Sequence, residues 1–109
     1  MATFFKNTVV PQVGTTPTQI IQTGPGTRAT VIGLSICNLL ENAVQISVTL
    51  TDDSSTTGYY VKDAIILPNQ TMRLINGGEK LIMFTSNELK IVSSQAASVD
   101  VIVSYVEIT

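Results

Sequence analysis

The sequence predicts an all-β fold, an antiparallel β-sandwich or jelly-roll-like domain of about nine short strands, with a small barrel as the alternative closure. Three observations carry this. Apolar and polar residues alternate with period two, as they do in half-buried strands, and helical 3.6-residue periodicity is nearly absent. Turn signals built on Gly, Pro, Asn and Asp recur every 8–12 residues, the spacing of a two-sheet sandwich. The neutral β-branched residue Thr occurs 15 times in 109 residues, and its branched Cβ favours extended backbone.

Taken in order, Thr3–Val10 reads as a first strand, stopped by Pro11 and Gly14. Thr16–Thr23 follows, with Pro17 near its start as an edge strand allows. Gly24-Pro25-Gly26 makes a tight turn. Thr27–Asn38 is a long strand with Gly33 at a candidate bulge. Both of its faces are apolar, which predicts a central position. Val44–Thr51 alternates cleanly, with Val44, Ile46, Val48 and Leu50 inward and Gln45, Ser47, Thr49 and Thr51 outward. Asp52–Gly58 is a polar loop, Tyr59–Ala64 a strand, Pro68-Asn69 a turn and Thr71–Ile75 a strand. Asn76-Gly77-Gly78 supplies a turn, since glycine adopts positive φ at little cost. Lys80–Phe84, Glu88–Ser93 and Ser98–Ile108 complete the set. No linker or composition break divides the chain, so residues 1–109 are expected to form one domain.

Composition narrows the function. Charged residues are 13% of the chain, about half the usual share. Thr, Ser, Asn and Gln fill the gap, and a surface of hydroxyls and amides costs less to dehydrate than a charged one. Such a surface fits either extensive subunit contacts or simply a β domain with weakly charged faces; a homo-oligomer, a trimer first, is expected. The net charge of −2 and six scattered basic residues give no footprint for nucleic acid. No apolar run approaches the ~18 residues of a membrane span, and no signal peptide is read at the start. Cys37 is the single cysteine. It excludes an intrachain disulfide and reads as a buried, inert thiol, consistent with assembly in a reducing compartment.

Catalytic equipment is missing. Without histidine, neither a Ser-His-Asp nor a Cys-His arrangement can be built. One cysteine and no histidine make a zinc site untenable. Nearly all of the carboxylates Glu41, Asp52, Asp53, Asp63, Glu79, Glu88, Asp100 and Glu107 fall in turns or on outward positions, and nothing points to the partial burial that raises a carboxyl pKa for acid catalysis. Asp52-Asp53-Ser54-Ser55 lacks the alternating acids, the glycine and the final glutamate of a calcium loop. Gly77-Gly78-Glu79-Lys80 lacks phosphate-loop spacing. No enzyme activity, metal or cofactor is expected. The aromatic doublets Phe4-Phe5 and Tyr59-Tyr60 are the candidate interface residues: alternation turns one of each pair away from the core, and aromatics are enriched at interface centres. Residues 1–10 are read as an N-terminal strand or as an arm that reaches a neighbour, with the final strand offering an open edge.

Four blocks carry a family resemblance: Thr30–Asn38 (TVIGLSICN), Tyr59–Asp63 (YYVKD), Asn76–Lys80 (NGGEK) and Ser104–Thr109 (SYVEIT). In this order they resemble small β-rich virion structural proteins of tailed bacteriophages, including cyanophages, from about Phe5 to Thr109. The resemblance implies a virion component present in many copies, and no binding residues carry over. The expected role is a capsid decoration (cement) protein that self-associates and docks on other virion proteins. A neck or collar, tail or fibre component is the alternative. A carbohydrate-binding β-sandwich module is the rival from another class; the absence of Trp speaks against the aromatic platform such modules use.

Overall fold

The computed structural model describes residues 2–75 and 79–109. The described strands are β1 (Thr3–Val13), β2 (Thr18–Gln22), β3 (Arg28–Asn38), β4 (Val44–Thr51), β5 (Thr57–Ile66), β6 (Thr71–Ile75), β7 (Leu81–Met83), β8 (Glu88–Ser93) and β9 (Val99–Ile108). The predicted Asn76-Gly77-Gly78 turn lies outside the described residues.

Four antiparallel pairs are nested along the chain: β1 with β9, β2 with β8, β3 with β6, and β4 with β5. Together they form one long hairpin ribbon. Rolling that ribbon brings β9 against β3 and β8 against β4. The first sheet then has the order β1-β9-β3-β6, with β7 on β3, and the second the order β2-β8-β4-β5. This is the jelly-roll form of the β-sandwich. β7 extends the edge that β6 begins: β6 pairs Leu34–Cys37 of β3, and β7 pairs Ala29–Val31.

Inward residues of both sheets make the core. Val31, Leu34 and Ile36 of β3 and Val99, Val101 and Val103 of β9 come from one side. Ile46 and Val48 of β4, Leu89 and Ile91 of β8, and Ile20 and Ile21 of β2 come from the other. Bulges set which faces these strands present. The register shift around Ile20 turns both Ile20 and Ile21 inward. The shift at Ile32-Gly33, the bulge expected at Gly33, turns both residues outward between buried Val31 and Leu34. β3 is central, as its two apolar faces predicted.

The structure corrects several expectations. Pro11 does not stop the first strand. Gln12 takes φ 51° and its N–H donates to Asp100 Oδ1 at 2.9 Å, so the strand passes through a bulge and rejoins β9 at Val13. A proline missing its N–H is tolerated here because β1 is an edge. Residues 3–10 pair with β9 of the same chain from Thr3–Ile108 to Val10–Val101. They are therefore a strand of their own sheet and not a free arm. The final strand is not an open edge either, because β9 lies between β1 and β3. Ser47 faces outward as expected but is buried. β5 bulges over it at Asp63 (φ 51°), whose N–H donates to Ser47 Oγ at 3.0 Å. Cys37 is half-buried on the outward face of β3 instead of buried in the core.

Candidate interaction face

The two outer faces of the sandwich differ in chemistry. On the second sheet, the pairings line up Gln19, Lys90, Thr49 and Tyr59 in one row and Gln22, Glu88, Thr51 and Thr57 in the next. That face mixes polar rows, with Lys90 and Glu88 paired at 3.4 Å, with exposed Tyr59 and Ile65 along its β5 edge.

The outer face of the first sheet is apolar. Phe5, Val106, Thr30 and Ile82 form one row across β1, β9, β3 and β7. Val9, Ile102, Ser35 and Arg73 form another across β1, β9, β3 and β6. Between them lies a narrow row of Asn7, Ser104 and the Ile32-Gly33 bulge. Phe5 is 83% exposed, Ile82 60%, Val9 59% and Ile102 50%. Phe84, just past β7, is also exposed, with the Arg28 guanidinium 5.8 Å from its ring. Arg28 and Asp100 stand at opposite ends of this face, since Arg28 pairs with Ile108 and Asp100 with Cys37.

The four sequence-predicted interface residues are not brought together. Phe4 and Phe5 lie on β1, an edge of the first sheet, and Tyr59 and Tyr60 on β5, an edge of the second. Phe5 joins the apolar face. Phe4 points to the other side of β1, under the Lys6 amine at 5.6 Å, and that amine also pairs with Glu107 at 2.8 Å. The pairing with Glu107 raises the Lys6 pKa. Tyr59 is exposed, with the Lys62 amine 5.4 Å from its ring. Tyr60 is half-buried and packs on the core, and its hydroxyl donates to Glu79 Oε1 at 2.6 Å. Burial, then the bond to Glu79, pushes its pKa up to about 12.

Sequence reading missed Val9, Ile32, Ile82 and Ile102. Each looks like one member of an alternating strand, and only sheet order collects them on one surface.

Among the described residues there is no group of three or more potential metal ligands. In the loop after β4, Asp52 Oδ1 accepts from Ser54 N, Ser54 Oγ and Thr56 N, which lowers its pKa and closes the loop on itself.

No protein-family model matches the chain, and no curated protein sequence does. Among solved structures, a chain of the T13 viral particle of IBDV superposes with a TM-score of 0.53 and 10% identity, over 96% of this chain and 35% of that one. A chain in the structure of infectious bursal disease virus, Gt strain, superposes with a TM-score of 0.49 and 9% identity, over 97% and 32% of the two chains. This chain thus spans about a third of the length of those it resembles. At such identities the likeness is one of fold.

Proposed function

We propose that this chain is a non-enzymatic structural subunit of a virion that self-associates and docks on other virion proteins. The observation that carries this reading is the apolar outer face of the first sheet on a rigid jelly-roll scaffold. Apolar exposure of this extent lies at the top of the range for soluble monomers, and large patches mark protein–protein contacts. The likeness in fold to a chain of the IBDV particle, an icosahedral virus, supports the virion setting. So do the sequence blocks that resemble tailed-phage virion proteins, although the structural likeness is to a different kind of virus.

Within the virion we favour a capsid decoration (cement) protein. One small domain with one adhesive face and one polar face suits a subunit that seats on a shell and turns its polar side to water. A neck, collar, tail or fibre position uses the same physics with fewer copies. The carbohydrate-binding reading is the weaker one: of the three tyrosines only Tyr59 is largely exposed, and the sequence has no Trp.

The test is quantitative mass spectrometry of purified particles of the virus that encodes the chain. Copy numbers comparable to the shell protein support decoration. A few copies per particle favour the neck or tail. Absence from the particle ends the virion reading.

A further inference from the structure

We propose that the outer face of the first sheet binds the same face of a second copy, giving a two-fold, four-layered dimer. This deepens the self-association part of the proposed function but does not depend on where in a virion the chain sits.

Area is the first argument. Phe5, Val9, Ile32, Ile82, Phe84 and Ile102 together expose roughly 600 Å² of apolar side chain, at the top of the range for the largest patch on a soluble monomer. With the hydroxyl residues between them, the face approaches the ~800 Å² per partner of a standard stable interface.

Charge placement is the second argument, and it selects the occupant. Consider a two-fold axis in the plane of the face, running across the strands through the Asn7–Ser104–Gly33 row. Each strand then lies over its own counterpart, reversed. The row of Phe5, Val106 and Ile82 falls on the partner's Val9, Ile102 and Arg73. Arg28, at the start of β3, comes over the end of the face where the partner's Asp100 stands beside the partner's Cys37. Among the described residues Asp100 is the only acid on the face, and it meets a cation twice by symmetry. Arg73 lies over the partner's Ile82, where its aliphatic stem can cover apolar surface. The axis row carries the small residues Gly33 and Ser104, so two sheets can approach to the ~10 Å of a sandwich core.

The test is sedimentation of the isolated chain at high micromolar concentration, with circular dichroism as the control for folding. The expected mass is twice 11.7 kDa. Ile102→Lys and Val9→Lys, both outward, should each give folded monomer. Arg28→Glu should weaken association by about tenfold or more, and Arg28→Lys, which keeps the cation, should not. A wild-type monomer, a trimer, or a dimer indifferent to Ile102→Lys and Val9→Lys overturns the proposal. Monomer in solution combined with loss of particle incorporation by Ile102→Lys assigns the face to another virion protein. That outcome also overturns the dimer and leaves the virion reading standing.

Discussion

The side-chain amide of Asn38, at the end of β3, donates to the backbone carbonyl of Ile66, at the end of β5, at 3.0 Å, and so ties the first sheet to the second. The same Nδ2 donates to the carbonyls of Asn42 at 2.8 Å and Leu67 at 3.2 Å, while Oδ1 accepts from Leu40 N–H at 2.9 Å. Asn38 is 1% exposed. One buried residue therefore satisfies the backbone of two crossing loops, where an unpaired carbonyl would cost about 1–3 kcal/mol.

Asn38→Ala is expected to destabilise the fold by about 2–4 kcal/mol, because it orphans several buried groups at once. Asn38→Asp should be at least as harmful, since it loses the donors and buries a charge. Urea melts measure both. A loss below about 0.5 kcal/mol, the level of an ordinary surface change, would show that the loops hold without this residue.

On β4, Ile46 is 1% exposed in the core and Gln45 is exposed outside. Ile46→Ala should cost about 2–5 kcal/mol, and Gln45→Ala should stay within about 0.5 kcal/mol. Ser47→Ala separates the observed bulge from the simple alternation. It removes the acceptor for Asp63 N–H and should cost about 1 kcal/mol, where an exposed outward serine would cost nothing measurable.

Removing residues 1–10 strips the strand that covers β9 and takes Val10 off the core. The truncated chain is expected to lose its cooperative thermal transition, as β9 gains a bare edge. Phe5→Ser, by contrast, should keep a cooperative transition, because the ring is 83% exposed in the single chain and no core contact is lost. A truncated chain that melts like the full one would mean that β1 contributes nothing to the fold.

Tyr60 gives the fold an alkaline limit. Its folded pKa is raised from the ordinary 10.0 to about 12 by burial and by the bond to Glu79. A raised folded pKa means that the unfolded chain deprotonates first. The stability from this group is full below about pH 10 and is lost as pH rises from there toward 12. Tyr60→Phe should flatten the decline in melting temperature over that window. An unchanged decline would assign the alkaline sensitivity to other groups.

The sequence by itself determined the fold class and the local elements that rest on alternation and turn chemistry. Val44–Thr51, Thr71–Ile75 and Glu88–Ser93 have the bounds that period-two patterning predicts, because alternation is imposed by the pleat of a single strand. Gly33 marked its bulge for an equally local reason. Tertiary structure decided the rest. Pro11 looks like a stop until Asp100, 88 residues away, captures the neighbouring N–H of Gln12. Ser47 looks exposed until the bulge in β5 folds over it. Phe5, Val9, Ile32, Ile82 and Ile102 look like unrelated outward positions on four strands. Only the pairing of β9 with both β1 and β3, and of β7 with β3, sets them side by side. Which strands become neighbours is fixed by burying the common core, and that burial is a property of the whole chain.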